Sequence, residues 1–140
     1  MEINWGEFRF SNDKSLISVD KVCELLRKSY WANHRSKETI IKSIENSMCI
    51  GIYFKEKMVG FARIITDNAT VYWLCDVIID EEFRGKGLGK KLIETITNME
   101  ELKGVVGFLA TRDAHKLYEK YGFAGEPENK YMKRKMEDLR

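Results

Sequence analysis

This sequence contains few of the residues on which disulfide-bonded and metal-binding proteins depend. Its 140 residues include one proline, two histidines and three cysteines. The cysteines are odd in number and none forms a Cys-x-x-Cys pair, which argues against a disulfide framework or a zinc knuckle. His34 and His115 show no metal-ligand spacing either. We therefore expect a protein without a bound metal.

Long apolar runs and a strong net charge are also missing. No run approaches the roughly 18 apolar residues that a membrane span needs, and the first five residues lack the apolar region of a secretory signal. Lysine and arginine number 24 against 22 acidic residues, a net charge of +2, which is far from the excess of a nucleic-acid-binding protein. We expect one cytoplasmic domain over residues 1–140 that binds neither membranes nor nucleic acid.

A glycine-rich turn stands out between an apolar run at residues 72–79 and an amphipathic segment. It reads Arg84-Gly85-Lys86-Gly87-Leu88-Gly89. A helix that begins here offers unpaired N–H groups and the positive end of its dipole, and glycines let an anion approach the main chain. The nearby arginine and lysines favour a ligand with several phosphates, such as a pyrophosphate.

Two common phosphate-binding loops do not fit this turn. The P-loop needs Ser or Thr after its Gly-Lys pair, and here Gly87 follows Lys86. The dinucleotide fingerprint needs glycines spaced one and then two residues apart, with an acidic strand end about 20 residues on. The glycines of this turn are evenly spaced and no acidic strand end follows at that distance, so the dinucleotide fingerprint is excluded.

Apolar periodicity predicts an order of elements along the whole chain. We expect strands at residues 7–10, 49–54, 58–66, 70–80 and 104–110, with a last edge strand at 130–136. The run at 104–110 is continuous and is predicted to be buried on both faces. Helices are predicted at 19–29, from 37, from 88 and from 114, with N-caps at Ser18, Ser36 and Asp113 and a left-handed C-cap at Gly122.

The turn and this order of elements resemble the GCN5-related N-acetyltransferases (GNAT). A second segment is similar to the family's Ala-x-x-x-Tyr-x-x-x-Gly-Phe motif: Ala114-His115-Lys116-Leu117-Tyr118-Glu119-Lys120-Tyr121-Gly122-Phe123. The wider sequence is similar to a bacterial subgroup of uncharacterised acetyltransferases. The resemblance implies an α/β (α+β) fold with a mixed central sheet of six or seven strands, about four helices, and parallel strands that splay at a coenzyme A site.

The resemblance also implies acetyl-CoA as cofactor, with coenzyme A as product. The pyrophosphate would lie at the turn, on Arg84, Gly85, Lys86, Gly87, Leu88, Gly89 and Lys90. The backbone of Val77, Ile78 and Ile79 would bind the pantetheine arm in the manner of an added strand. The structural alternative for the residues of the turn is an ordinary loop, and the alternative for Val77, Ile78 and Ile79 is core packing.

Two residues are candidates for catalysis. Tyr118 matches the family tyrosine that donates a proton to the departing thiolate, although its helical spacing also fits a core tyrosine. Asp76 lies in an apolar strand, where an unpaired carboxylate is costly to bury. It is either a base or anchor for the substrate ammonium, or a structural carboxylate satisfied by backbone N–H groups or by an arginine such as Arg63 or Arg112.

The sequence indicates the residues that would bind the acceptor amine less clearly. The candidates to shape a pocket for a small-molecule or peptide amine are Trp31, His34, Arg35, Tyr72 and Trp73, although aromatic residues at such positions also fit core packing. An arginine there would favour an anionic group on that amine. Cys75 is expected to be a buried apolar residue, not a nucleophile. The resemblance thus implies direct acetyl transfer to a primary amine in a ternary complex. The alternative is a catalytically silent acyl-CoA-binding or regulatory module, and a homodimer is left open.

Overall fold

A six-stranded mixed sheet forms the centre of the molecule. The computed structural model describes residues 1–128 and 130–134. Strand order follows chain order: β1 (Glu2–Trp5), β2 (Phe8–Ser11), β3 (Met48–Phe54), β4 (Lys57–Thr66), β5 (Val71–Ile79) and β6 (Val106–Phe108). The first five strands pair antiparallel, and β5 pairs parallel with β6. The predicted mixed sheet is confirmed.

Four helices flank this sheet: α1 (Val19–Arg27), α2 (Lys37–Glu45), α3 (Leu88–Thr97) and α4 (His115–Glu119). Ser18 accepts a hydrogen bond from the N–H of Lys21, and Ser36 accepts one from Thr39, so both predicted N-caps are confirmed. Short 3-10 turns at Lys14–Leu16, Glu81–Phe83 and Glu100–Leu102 complete the helical segments.

The core divides into two clusters, one on each face of the sheet. Leu88, Leu92, Ile93 and Ile96 of α3 pack on one face. Residues of α1 and α2, among them Val22, Leu26, Ile40 and Ile44, pack with Phe61 and Ile78 on the other. The apolar spacing that predicts these three helices marks the side chains that are buried.

The strand predicted at residues 7–10 is observed as β2 (Phe8–Ser11), and it forms a hairpin with a strand that was not predicted, β1. Its partner β1 was missed, since its four residues leave only Ile3 packed against the core and give no clear alternation. Gly6 makes the turn with a φ of +61°, a conformation that glycine adopts without steric cost.

The second parallel strand is shorter and more exposed than predicted. β6 has three residues, and Val106 and Phe108 are 58% and 45% exposed. The prediction that both faces of this strand are buried was wrong: among the described residues β6 pairs only with β5, and α1 and α2 pack over other strands.

Near the C-terminus, the structure differs from the predicted N-cap of the last helix and from the predicted edge strand. Ala114, not Asp113, is the N-cap of α4, and the Thr111 hydroxyl accepts from its N–H at 3.1 Å. Gly122 has a φ of +91°, as the predicted left-handed cap requires. For the predicted edge strand at 130–136, residues 130–134 form no strand, and residues 135 and 136 lie outside the described residues. Within the described part, no helix is long and apolar enough to cross a membrane.

Candidate functional site

A β-bulge in β5 determines where Asp76 points. Arg63 of β4 lies opposite Cys75, and Phe61 lies opposite Ile78, so two residues of β5 face the single residue Ala62. Asp76 has a φ of +53°, in the left-handed region. Tyr72, before the bulge, packs in the α3 cluster, whereas Ile78, after it, packs in the α1–α2 cluster. The bulge therefore turns the Asp76 side chain toward the α1–α2 connector.

Asp76 is a buried carboxylate that accepts four hydrogen bonds. Trp31 Nε1 donates to Oδ1 at 2.9 Å, and Arg35 Nη1 donates to both oxygens at 3.0 and 2.9 Å. Arg63 Nε donates to Oδ2 at 2.8 Å, and its Nη1 donates to the Ser47 hydroxyl at 3.1 Å. These bonds use the acceptor capacity of a carboxylate, about four lone-pair positions.

The charges around Asp76 keep it ionised. Burial alone would raise its pKa, but the hydrogen bond and charge of Arg63 and the charge of Arg35 outweigh burial and hold the pKa below its ordinary value of 3.8. A carboxylate in this state is a poor proton acceptor near neutral pH. Of the two interpretations of Asp76, these contacts favour a structural carboxylate held by arginines, with Arg63 as one partner.

A cleft opens where the two parallel strands separate. Their pairing runs only from Val71–Val106 to Trp73–Phe108. Beyond that point lies a cleft of about 670 Å³, here called the β5–β6 cleft. The side chains of Trp31, Arg35, Arg63, Asp76 and Tyr118 line it, together with Tyr30, Trp73, Arg112 and Asp113. The expected splay of the parallel strands is present.

A second cleft of about 620 Å³ leads to the glycine turn and is called the turn cleft. Val77, Ile78 and Ile79 line one wall, and the turn lines another with Arg84, Gly85, Gly87, Leu88, Gly89 and Lys90. Lys86 does not line it. Tyr30, Trp31, Val77 and Asp113 line both clefts, so the two spaces meet at the bulge.

The turn presents the start of α3 without a side-chain cap. Gly85 and Gly87 have φ values of +80° and +83°, and Gly87 is the N-cap of the helix. The first N–H groups of a helix have no partner within it; here the N–H of Lys91 bonds back to the Gly87 carbonyl at 3.0 Å. A Cβ at Gly85 or Gly89 would meet no atom within 4 Å. The turn is therefore an open cradle with exposed donors, suited to an anion.

Side chains of other elements fix the turn. Phe83 packs edge-on against Phe8 at 6.1 Å and against Phe54 at 5.4 Å. Lys21 of α1 forms an ion pair with Asp80, and the hydrogen bond from Lys21 lowers the pKa of that carboxyl. Arg84 donates from Nε to the Ile79 carbonyl at 3.1 Å. Arg84 thus braces the turn against the strand that precedes it.

Tyr118 lies in α4, with its ring edge-on to Phe123 at 5.9 Å. The side chain is half-buried, and among the described residues its hydroxyl has no hydrogen-bond partner. Burial raises the pKa of Tyr118 above its ordinary 10.0, so its hydroxyl keeps its proton near neutral pH. The tyrosine therefore offers a protonated hydroxyl in the β5–β6 cleft.

The structure brings Trp31 and Arg35 to the cleft but not Tyr72. Tyr72 is 6% exposed, and its ring covers Gly107 so closely that a Cβ there would lie 2.3 Å from it. Because successive side chains of β5 point to opposite faces of the sheet, the neighbouring Trp73 lines the cleft instead. Cys75 lines the cleft, but burial raises the pKa of its thiol, which disfavours the reactive thiolate.

Tyr30 and Arg112 were missed as site residues. The Tyr30 hydroxyl accepts a hydrogen bond from the N–H of Arg112 at 3.2 Å, and the Arg112 guanidinium lies 3.7 Å from the centre of the Tyr30 ring. This contact joins the α1–α2 connector to the loop before α4. The two residues are 82 positions apart, so no local pattern could indicate it. In the part of the chain that the structure describes, no cluster of three or more metal-ligating side chains occurs.

Comparison with known proteins identifies relatives of the whole arrangement. The model of the "Acetyltransferase (GNAT) domain" family matches residues 45–124. A protein of the GNAT family from Xanthomonas campestris has a crystal structure that matches with a TM-score of 0.89 at 32% identity, over 94% of this chain and 95% of that one. A protein of unknown function from Staphylococcus aureus matches with a TM-score of 0.75 at 26% identity, over 91% and 98%.

Curated sequences give two further relatives. An uncharacterised N-acetyltransferase of Pyropia yezoensis is 27% identical over 135 residues, which cover 91% of this chain and 76% of the relative. A spermine/spermidine N(1)-acetyltransferase of Bacillus subtilis is 32% identical over 87 residues, which cover 53% of this chain and 57% of the relative.

Proposed function

This chain belongs to the GNAT family of acetyltransferases, and we propose that it transfers the acetyl group of acetyl-CoA to a primary amine. The observation that carries this proposal is the junction of the two clefts at the bulge in β5. An anion-binding helix start lies at one end, and a protonated tyrosine with a cationic cluster lies at the other.

The described residues fit acetyl-CoA, which supplies an activated acetyl group when bound. Amides of the turn and of the start of α3 would hold the pyrophosphate, with Lys90 adding positive charge. The pantetheine arm would run along Val77, Ile78 and Ile79, which lie beyond the last β5–β6 pair, so that no strand among the described residues pairs with their backbone on that side. Gly85 and Gly89 leave the space that such a ligand needs.

The side chains suggest a division of chemical roles. Tyr118 would donate its proton to the departing sulfur, as a general acid. Asp76 would orient Trp31, Arg35 and Arg63, which wall the cleft, and would not remove the proton of the amine because its lone pairs are already used. The acceptor amine would then enter uncharged, and the proton that its nitrogen loses on acylation would return to the Tyr118 oxygen, directly or through water. Proximity and orientation would supply much of the acceleration.

A direct transfer between two bound substrates fits the cleft better than an acetylated enzyme. Cys75 is the nucleophilic side chain at hand, and its raised pKa disfavours that route. Initial rates measured at several concentrations of both substrates test this. Intersecting double-reciprocal lines support the ternary complex, and parallel lines would indicate an acetyl-enzyme.

The competing function is a silent acyl-CoA-binding module. Release of free thiol from acetyl-CoA, followed over a panel of amines, amino acids and peptides, separates the two functions. Turnover that depends on an amine supports the enzyme. Tight binding of acetyl-CoA with no turnover on any acceptor would support the module.

A further inference from the structure

The β5–β6 cleft carries more positive than negative charge. Its lining includes Arg35, Arg63, Arg112 and Lys133 against Asp76 and Asp113. Asp76 pairs with both Arg35 and Arg63, so one carboxylate faces two guanidinium groups in a largely buried cluster. Among the described residues, one positive charge of this cluster is left without a counter-ion.

Arg35 is the member of this cluster that is able to contact a ligand. Its Nη1 donates to both oxygens of Asp76, while its Nε and Nη2 have no hydrogen-bond partner among the described residues. The Arg35 side chain is 24% exposed, whereas that of Arg63 is 10% exposed and also binds Ser47. Arg35 therefore has two donor atoms to spare, and its side chain lines both the β5–β6 cleft and a neighbouring cleft that contains Asp20 and Glu24.

The other end of the same cleft is apolar and aromatic. Trp73 stacks on Phe108 at 6.1 Å, with 12° between their planes, and Tyr131 meets Trp73 edge-on at 6.5 Å. Ile65 lies opposite Trp73 on β4 and also lines the cleft. Of these side chains, Trp73 and Ile65 line the cleft, where they form a platform for an apolar group, while Phe108 and Tyr131 pack against Trp73 from outside it.

We propose that the acceptor is a small amine that carries a carboxylate and an apolar body, with the carboxylate bound by Arg35 and the apolar body on Trp73. This inference rests on the proposed function and names its substrate class. A guanidinium with free donors matches a carboxylate, and a polycationic amine would meet uncompensated positive charge.

Matched pairs of amines test the inference. Phenylalanine and phenylalaninamide share one apolar body, as do leucine and leucinamide, and each pair differs in the carboxylate; spermidine serves as the polycation. Binding to the protein saturated with coenzyme A is measured by calorimetry, and thiol release from acetyl-CoA gives the rates. The carboxylate member should bind about tenfold tighter or better, since a hydrogen bond to a charged group is typically worth that factor.

Variants locate the effect. Arg35→Gln should bring the ratio within each pair close to one, and Arg35→Lys should keep part of the preference because it keeps the charge. Lys103→Gln, which removes an exposed cation outside both clefts, should leave the ratio unchanged. If Arg35→Gln does not fold, the ratio of the affinities of the carboxylate and the amide, measured on the unaltered protein, tests the inference.

Three results would overturn the inference: equal or tighter binding of the amides, preference for spermidine, or binding of none of these amines to protein that still binds acetyl-CoA. Failure to bind acetyl-CoA would instead overturn the proposed function itself. The two failures are therefore distinguishable.

Discussion

At the scale of single residues, Asp76 illustrates how an ionised group is kept inside an apolar strand. Its carboxylate has a hydrogen bond at every acceptor position, and the two guanidinium groups beside it more than offset its charge. A buried pair of this kind adds little stability over an apolar pair, but removal of one partner leaves a buried charge uncompensated. Asp76 therefore orders the wall of the cleft through Trp31 and Arg35.

Asp76→Asn should lower the free energy of unfolding by about 3 kcal/mol at pH 7, because it leaves two largely buried guanidinium groups without a counter-ion. The folded-state pKa of Asp76 is lowered, so its stabilisation is complete above about pH 4 and declines as the pH falls toward that lowered pKa. Denaturant unfolding at several pH values measures both effects. Asp20→Asn is the control, since that exposed carboxylate should contribute less than about 1 kcal/mol.

Tyr118→Phe should lower kcat by about 100-fold, the lower range for loss of a general acid, and should leave the Kd of acetyl-CoA nearly unchanged. Steady-state kinetics and calorimetry measure the two quantities. Tyr121→Phe, three residues further along and beyond the end of α4, removes a hydroxyl outside the β5–β6 cleft and should change neither. An equal loss of activity in both variants would contradict a catalytic Tyr118.

The rate of transfer should rise with pH and then reach a plateau, with no decline below about pH 10. The rise follows deprotonation of the acceptor amine, because Asp76 is not free to accept its proton. The plateau persists because burial raises the pKa of Tyr118 above 10.0. The pH dependence of kcat/KM checks this, and a fall between pH 7 and pH 9 would contradict the role of Tyr118 as proton donor.

At the scale of elements, β5 and the turn after it form one continuous site. The bulge breaks the alternation of β5, the splay frees its backbone on one side, and the turn ends in a helix start without a side-chain cap. The three glycines differ in their roles. Gly85 and Gly87 supply positive φ values, whereas Gly89 supplies only space.

Gly89→Glu should weaken acetyl-CoA binding by about 100-fold, because like charges placed together cost several kcal/mol. Gly89 is the position to change, since a side chain at Gly87 would strain a φ of +83° and approach Trp5 at 3.3 Å. Gly89→Gln has the same length without the charge and should weaken binding less. Calorimetry gives the affinities, and circular dichroism verifies the fold. Unchanged affinity in Gly89→Glu would contradict the pyrophosphate assignment.

At the scale of the whole molecule, local sequence patterns were enough for the elements but not for the contacts between them. The caps at Ser18 and Ser36 and the apolar faces of α1, α2 and α3 follow from short-range periodicity, and the structure confirms them. β1 was missed because its four residues give no clear alternation, and the exposure of β6 was missed because it depends on which helices pack over that strand.

The same limit applies to the candidate site. The glycine turn and Tyr118 lie within contiguous motifs, so the sequence could indicate them. The contacts of Asp76 with Trp31 and Arg35 join residues more than 40 positions apart, and a bulge directs them. The sequence could not show which of the neighbouring candidates Tyr72 and Trp73 faces the acceptor pocket, because it does not give the orientation of the strand; the structure places only Trp73 at the cleft.

The most direct test of the central claim is a crystal structure of the protein with acetyl-CoA. The account predicts electron density for the pyrophosphate beside the backbone amides of the turn and of the start of α3. It predicts the pantetheine arm along Val77, Ile78 and Ile79, with the thioester at the junction of the two clefts beside the Tyr118 hydroxyl. A pyrophosphate bound elsewhere, or a thioester that points away from Tyr118 and Asp76, would contradict the account.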